Sequence, residues 1–378
     1  MNDFMEYCLK WYYRSSGWNE ENQYANLCSW SRAILDFQTP RGLSLLVSRL
    51  PTKQFKPSYT LNALPALNGS LGYLYTSRPL DVKTSATVDF QDLIDRFRVI
   101  VHTSKKSYAD YRAVGFIDIT SLDFEANPDY LLYGRMFFPG ARLEAMYVRR
   151  LSEHLQCSVT AVNSPHTSIF PQVAMQLQYD VGKWSSDCSY TSDDGLLGVR
   201  ALYNFGQPAS SSGLISLGTE IYYGVRDKSG GLSTGIRYQT SPLSNSAPTS
   251  CTFILSPIVG RMSTSYVSQI SEQLVMCSRF DFSIYSYESD LDLGFEYRTK
   301  SKKPTVVEKK EEEGVVTLTA DRTEKLESLI KARWGFAKGL ALMWEGRFKN
   351  ALFSFGLTAD LRTTNPIRTI GLEVQYFS

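Results

Sequence analysis

The sequence predicts an all-β protein, a closed transmembrane β-barrel of about 19 strands. Apolar and polar residues alternate along most of the chain after residue 31, which is the period of a strand with two unlike faces. No apolar run approaches the roughly 18 residues of a spanning helix, whereas a spanning strand needs only about 10 alternating residues. Aromatic residues make up 13% of the chain, with 23 Tyr and 20 Phe, and such residues favour the membrane–water boundary.

The first element is an amphipathic helix over residues 1–20. Its apolar residues fall on one side at helical spacing: Phe4, Met5, Cys8, Leu9 and Tyr12. Gly17 is suited to end the helix. These residues favour neither of two positions, a helix docked on the surface or a plug inside a pore. Glu6, Lys10 and Arg14 interrupt any apolar core, so we expect no secretory signal peptide.

Strands follow from residue 31 to residue 377, which we expect to form a single barrel domain. The alternation is clear in residues 172–181, 290–298 and 368–377. The predicted strands cover 31–39, 42–50, 58–66, 68–77, 130–138, 142–151, 155–163, 172–181, 184–193, 196–205, 213–224, 231–240, 250–257, 261–269, 274–285, 289–298, 331–345, 350–361 and 368–377. An odd count near 19 is known for mitochondrial porins.

Alternation alone does not separate a lipid-embedded barrel from a soluble sandwich, because both have strands with unlike faces. Many of the predicted strands have about 10 residues, roughly twice the usual soluble length, and little else could fill a soluble core. In a barrel, the polar faces line the lumen. Asp290, Asp292, Glu296, Arg298 and Arg237 would then be lumen charges.

Two long connections interrupt the strands, at residues 78–129 and 299–327. The second contains a run of lysines followed by Glu311–Glu313, a composition that buries little apolar surface. Both connections follow even-numbered predicted strands, so both should leave by the same rim. Tight turns are predicted at Asn68-Gly69, Asp194-Gly195, Ser229-Gly230-Gly231 and Lys349-Asn350.

No pattern of residues indicates an enzyme or a cofactor. The three histidines lie far from any second ligand at metal spacing, and the six cysteines lack paired spacing. Nucleotide-binding glycine motifs and a nucleophile elbow are missing. A net charge of +2 argues against binding to nucleic acid. We therefore expect a protein that is not an enzyme and that holds no metal or cofactor.

Two aromatic pairs are the candidate partner-binding residues. Tyr73 and Tyr75 share one strand face, and so do Phe280 and Phe282. Either pair could belong to an aromatic girdle at the lipid boundary. The alternative is an anchor for a protein partner, because aromatic residues dominate the energetics of interfaces.

Several stretches together resemble one fungal family, that of mitochondrial distribution and morphology protein ten, in order from Met1 to Ser378. They are Ser31–Phe37, Leu67–Tyr75, Leu132–Met136, Leu143–Ser152, Ser278–Ser289 and Leu342–Arg347. The resemblance implies a porin-type barrel of the mitochondrial outer membrane with the N-terminal helix in the lumen. It also implies a place at ER–mitochondria contact sites.

The resemblance further implies membership of two complexes. One is the ER–mitochondria encounter structure, which tethers the two membranes and supports phospholipid exchange through lipid-transfer subunits. The other is the sorting and assembly machinery, which inserts β-barrel proteins into the outer membrane; the outer-membrane translocase is a further expected partner. By this resemblance, Tyr73 and Tyr75 face the encounter structure, and Phe280 and Phe282 face the assembly machinery. The family's sorting signal falls on Thr369, Gly371, Val374 and Tyr376.

The leading hypothesis is therefore a non-enzymatic membrane scaffold that also shapes mitochondrial morphology. A voltage-dependent anion-channel-like metabolite pore is the first alternative, and it predicts a mostly basic lumen. A soluble β-rich enzyme or lectin is the second alternative.

Overall fold

The computed structural model describes residues 4–80, 82–88, 93, 129–165, 171–206, 213–240, 247–301, 325–360, 362–363 and 366–378. Two helices come first, α1 (Phe4–Ser16) and α2 (Ser29–Leu35), with a 3-10 turn at Tyr24–Asn26 between them. The strands are β1 (Gly42–Ser48), β2 (Phe55–Asn62), β3 (Asn68–Thr76), β4 (Tyr130–Phe138), β5 (Leu143–Arg150), β6 (Leu155–Asn163), β7 (Gln172–Asp180), β8 (Trp184–Thr191), β9 (Leu196–Phe205), β10 (Leu214–Gly224), β11 (Ser229–Gln239), β12 (Thr249–Ser256), β13 (Arg261–Gln269), β14 (Leu274–Ser283), β15 (Ser289–Ser301), β16 (Lys325–Gly335), β17 (Gly339–Phe348), β18 (Ala351–Ala359) and β19 (Ile367–Phe377).

The strands form one closed sheet of 19 strands in chain order. Each strand pairs antiparallel with the next, and β1 closes the barrel by pairing parallel with β19, from Gly42 opposite Gly371 to Ser48 opposite Phe377. The parallel pair follows from the odd number of strands, because the first and last of 19 strands that alternate in direction run the same way. Closure leaves no strand edge, so every strand pairs on both sides, as lipid requires.

We call the rim where β19 ends the C-terminal rim, and the rim where β1 begins the N-terminal rim. Odd-numbered strands end at the C-terminal rim and even-numbered strands end at the N-terminal rim.

The two faces of the sheet differ as the alternation predicted. On β15, Leu293, Phe295 and Tyr297 are exposed on the outer face, whereas Asp292 and Glu296 are buried on the inner face. The same division holds on β19, where Tyr376 faces out and Gln375 faces in. An apolar outer wall around a polar interior is the arrangement of a lipid-embedded barrel. Neither helix that the structure describes has the length and apolar run that crossing a bilayer would require.

The N-terminal segment lies inside the barrel, which decides between the two positions that the sequence left open. Helix α1 packs at the C-terminal rim against the inward residues Leu74, Leu131 and Val148. The ring of Phe4 lies 5.1 Å from the ring of Phe377 on β19. The helix ends at Ser16, and Gly17 follows with a φ of 69°, as predicted for its stop.

From α1 the chain crosses the lumen to the N-terminal rim, where β1 begins. The side chain of Asn22 donates to Asp180 of β7 at 2.6 Å, and the hydroxyl groups of Tyr24 and Ser233 are 2.6 Å apart. Helix α2 then packs Ile34 and Leu35 into a buried apolar cluster with residues of β13 and β14. The N-terminal segment thus contacts several sectors of the inner wall.

Two predicted strands were wrong, and the two errors cancel in the count. Residues 31–39 were expected to be a strand, but α2 occupies Ser29–Leu35. Ile34 and Leu35 are both buried on one side, which a helix allows and strict alternation does not. The barrel therefore begins at Gly42 and not at residue 31. The span 331–345, expected to be one strand, contains parts of β16 and β17.

Two of the four predicted turns were displaced. Asn68 and Gly69 lie in β3, and Ser229 to Gly231 lie in β11, so each turn precedes its predicted position. Turns at Asp194-Gly195 and at Lys349-Asn350 are confirmed. The long connections follow β3 and β15, and both leave by the C-terminal rim, so the shared rim is confirmed with odd numbers in place of even ones. Most of 78–129 and all of 302–324 lie outside the described residues.

Candidate partner-binding surfaces

The tyrosine pair lies on the outer wall of β3, near the C-terminal rim. Tyr73 is 50% exposed and Tyr75 is half-buried, while Leu74 between them points into the lumen. The ring of Tyr73 covers Gly134 of β4, where a Cβ would come within 2.6 Å of the ring. The ring of Tyr75 lies 6.1 Å from that of Tyr130. Gly134 therefore lets the ring of Tyr73 lie against the wall, and Tyr75 forms an aromatic contact with Tyr130 on the same outer face.

The phenylalanine pair lies on the outer wall of β14, near the N-terminal rim. The rings of Phe280 and Phe282 stack 6.4 Å apart at an interplanar angle of 11°. Phe280 is 42% exposed and Phe282 is half-buried. Their neighbours in register on β13 are Thr264 and Met262. The pair forms an apolar patch of two parallel rings on the outer face.

The two pairs face different directions. Between β3 and β14 there are eight strand steps through the β1–β19 seam and eleven the other way, so the pairs lie on nearly opposite sides of the barrel. They also lie near opposite rims. A single partner of ordinary size would not cover both.

The predicted sorting-signal residues are divided between the two faces of β19. Val374 and Tyr376 point outward, and Thr369 and Gly371 point into the lumen. The backbone of Pro40 passes so close to Gly371 that a Cβ there would lie 2.2 Å from the Pro40 carbonyl oxygen. Gly371 therefore has a packing role in the folded barrel, in addition to the role that the resemblance implies.

An ion network fixes α2 to the inner wall. Arg279 binds both carboxylate oxygens of Asp36, at 2.7 and 2.9 Å, and also donates to Asp292 at 2.7 Å. Lys338 donates to the same oxygen of Asp292 at 2.7 Å. Two further wall cations, Lys331 and Arg333, donate to the carbonyl oxygens of Ala33 and Leu35 at 2.8 and 2.7 Å. Cations at the last carbonyl groups of a helix satisfy acceptors that the helix leaves open.

The lumen environment shifts the acidity of groups on the N-terminal segment. Burial alone would raise the pKa of Asp36, but the hydrogen bonds and charge of Arg279, with Lys338 and Arg333, outweigh it and lower the pKa. Burial raises the pKa of Tyr13 to about 12, and the nearby charge of Glu20 adds to this effect. Asp36 is therefore an anion and Tyr13 a neutral phenol at neutral pH.

Comparison with known proteins identifies the family of the chain. The family model described as Mitochondrial distribution and morphology protein 10 matches residues 1–325. The chain belongs to this family. It is similar to the protein of that name from Postia placenta, with 36% identity over an alignment of 453 positions that covers all of both chains. The one from Phaeosphaeria nodorum is 37% identical, again over all of both chains. The one from Candida albicans strain SC5314 is 37% identical over 80% of this chain and 66% of its own.

Family membership and fold together indicate a mitochondrial membrane protein with a role in mitochondrial distribution and morphology. The predicted family and the predicted barrel are confirmed. The partner roles of the two aromatic pairs and of the sorting-signal residues stay predictions. Among the described residues, no three His, Cys, Asp or Glu side chains converge as a metal site would require.

The wall residues that hold α2 in the lumen were not predicted from the sequence. Arg279, Lys331 and Arg333 were not singled out, because nothing local in the sequence says that a helix from residues 29–35 reaches them. A usable signal existed for α2 itself, since Ile34 and Leu35 are adjacent apolar residues and Pro40 follows. The segment 82–88 was assigned to a loop, yet Ser85 donates its backbone N–H to the Phe377 carbonyl at 2.9 Å.

Proposed function

We propose that the protein is a non-enzymatic scaffold of the mitochondrial outer membrane that contacts two different complexes through opposite sides of its barrel. One complex is the ER–mitochondria encounter structure and the other is the sorting and assembly machinery. The lipid-transfer subunits of the first move phospholipids between membranes, and the barrel anchors them in the membrane at the contact site. The outer-membrane translocase is a further candidate partner.

The observation that carries this proposal is the placement of the two aromatic pairs. Tyr73 and Tyr75 face out near the C-terminal rim, and Phe280 and Phe282 face out near the N-terminal rim, eight strand steps away. Partly exposed aromatic side chains are the usual anchors of protein interfaces. Two separate surfaces support a protein that joins either complex without a change of fold.

The filled lumen supports a scaffold more than a pore. The inner wall is used to hold α1, the 3-10 turn and α2, through contacts such as Tyr24 to Ser233 and Arg279 to Asp36. The N-terminal segment in turn braces the wall. A braced barrel keeps two distant surfaces in a fixed relation, which a scaffold requires.

The test compares two double variants with a matched control. Tyr73→Ala with Tyr75→Ala should reduce co-purification of the encounter-structure subunits by roughly tenfold and spare the assembly machinery. Phe280→Ala with Phe282→Ala should have the reverse effect. Tyr203→Ala with Tyr223→Ala removes two other outward tyrosines, on β9 and β10, and should leave both complexes intact.

Native gels and tagged purification from mitochondria read out both complexes in one sample. Heat-resistant mobility of the purified barrel shows that each variant is folded. The proposal is wrong if both double variants keep both complexes at control levels. If each variant loses both complexes equally, the idea of two separate surfaces is wrong.

A further inference from the structure

Basic residues concentrate at the C-terminal rim, in the sector from β17 through the seam to β6. Four of them are exposed and have no acidic partner within the described residues: Arg49, Lys83, Arg149 and Lys349. We call these four the basic collar. The acidic residues described in the rim segments of this sector are Asp129, which pairs with Arg78 at 2.6 Å, and Glu153. Among the described side chains of this rim sector, basic groups therefore outnumber acidic ones.

Hydrogen bonds join the collar segments into one surface. Leu80 donates its backbone N–H to the carbonyl of Lys53 at 2.9 Å, which places Leu80 beside the turn that follows Arg49. Ser85 donates its hydroxyl to the carbonyl of Phe377 at 3.1 Å and to that of Asn350, the neighbour of Lys349. Lys83 thus lies between the turn that follows Arg49 and the turn that contains Lys349.

Arg149 extends the basic collar from the rim onto the outer wall. This residue is the last outward residue of β5 and lies in register with Tyr130 of β4. Tyr130 in turn contacts Tyr75 on β3. The outer wall at this rim therefore presents tyrosine rings with an exposed guanidinium group beside them. The end of a spanning strand is the depth at which lipid phosphates meet water.

At the N-terminal rim of the same sector, three described basic residues are paired with carboxylates. Arg142 pairs with Glu144 at 2.7 Å, and Arg368 pairs with Asp360. Lys338 is bound by Asp292 at 2.7 Å. Arg41 and Arg362 are exposed there, but within the described ranges no outward arginine among tyrosines accompanies them. The described parts of the two rims thus differ in the unpaired positive charge that a ligand could contact.

We infer that the basic collar binds the headgroups of anionic phospholipids in the leaflet at the C-terminal rim. Arginine and lysine bind phosphate oxygens, and basic residues beside a membrane attract anionic lipids. Tyrosine side chains favour the same depth, where the acyl chains meet the headgroups. A lipid is favoured over an acidic protein because Arg149 lies on the membrane-facing wall itself. The inference depends on the membrane-spanning barrel but on neither protein complex.

The experiment uses the full-length protein, purified and reconstituted into nanodiscs with equimolar phosphatidylcholine and phosphatidylserine. Detergent extraction followed by mass spectrometry measures the ratio of anionic to zwitterionic lipid that stays bound. The collar variant combines Arg49→Gln, Lys83→Gln, Arg149→Gln and Lys349→Gln. The control combines Arg41→Gln, Arg142→Gln, Arg362→Gln and Arg368→Gln, which removes the same charge from the N-terminal rim.

The wild-type protein should retain phosphatidylserine preferentially, and the preference should weaken as salt is added. The collar variant should lose about fivefold of that preference, while the control keeps most of it. Equal loss in both variants would show an effect of net charge alone and would overturn the site. No preference in the wild-type protein would overturn it as well.

Two outcomes separate this site from the protein contacts. The lipid measurement contains no partner protein, so it does not depend on the fate of either complex in the tyrosine and phenylalanine variants. If the collar variant keeps its lipid preference but loses one complex from mitochondria, the collar binds an acidic protein surface and the lipid assignment is wrong.

Discussion

At the scale of single residues, Arg279 connects the end of α2 to a buried carboxylate of the wall. Its guanidinium group joins Asp36, at the end of α2, to Asp292 on the wall, and Asp292 has a side-chain exposure of only 2%. A buried carboxylate needs partners, because water no longer solvates it. Arg279 therefore binds α2 to the wall and neutralises the buried charge of Asp292.

Arg279→Gln should lower the free energy of unfolding by about 2–3 kcal/mol. Asp292 would keep Lys338 as its cation, and the contact to Asp36 adds little because Asp36 is 36% exposed and water screens it. Urea unfolding in lipid vesicles measures the change. Arg362→Gln, at an exposed turn, is the control and should change stability by less than about 0.5 kcal/mol. A similar loss in both variants would show that the ion network does not stabilise the barrel.

The Arg279 effect should also depend on pH. The pKa of Asp36 is lowered in the folded barrel, so its contribution to stability is present above its unfolded pKa of about 4. That contribution is lost as the pH falls through the lower, folded pKa. Because the Asp36 contact is the smaller part of the Arg279 effect, the difference in unfolding free energy between wild type and Arg279→Gln should be constant from neutral pH to about pH 5. It should shrink only slightly below about pH 4.

At the scale of elements, α1 and β19 support the parallel seam. Phe377 is the last residue of β19, faces the lumen and is fully buried. Its ring packs on Phe4 and lies 6.4 Å from the ring of Tyr7. Its carbonyl accepts the backbone N–H and the hydroxyl of Ser85. The end of the closing strand is therefore held by the first helix and by the segment after β3.

Phe377→Ala should destabilise the closed barrel by about 3–4 kcal/mol, because it opens a cavity between β19 and α1. The barrel is refolded into vesicles, where no sorting machinery acts, and the melting of its heat-resistant gel form is followed. Tyr376→Ala, which removes the outward neighbour, should cost less than about 1 kcal/mol. Phe4→Ala combined with Phe377→Ala should cost less than the sum of the two, since the rings touch. Full additivity would contradict the contact.

The elements that sequence could predict are those whose signal is local. Alternation located most of the strands and the outward position of Tyr73 and Phe280, because a strand face is fixed by neighbours two residues away. Helix α2 was missed because seven residues give too little period to tell helix from strand. The turn at 336–338 was missed because Trp334, Phe336 and Leu340 keep the apolar alternation across it. The contacts between α2 and the wall were beyond reach, since they join residues more than two hundred positions apart.

At the scale of the whole molecule, the barrel combines a mixed-charge wall with an N-terminal filling. Arg200 pairs with Asp187 at 3.3 Å and with Glu220 at 2.6 Å across three strands. Glu296 and Arg298 pair at 2.6 Å on β15. Both signs of charge therefore line the described inner wall, which shows no basic ring of the kind that an anion channel would use. The described part of the N-terminal segment, residues 4–41, crosses this space from one rim to the other.

The filling should limit conduction, which separates a scaffold from a metabolite pore. In planar bilayers, the full-length protein should conduct several-fold less than a variant that lacks residues 1–38, because the deletion removes α1, the 3-10 turn and α2 from the lumen. The opened variant should show weak ion selectivity, since its wall holds both signs of charge. Tyr24→Phe, which loses only the hydroxyl contact to Ser233, is the control and should conduct like the full-length protein. A full-length protein that is widely open and anion-selective would favour the channel, because its lumen could not then be filled by the N-terminal segment.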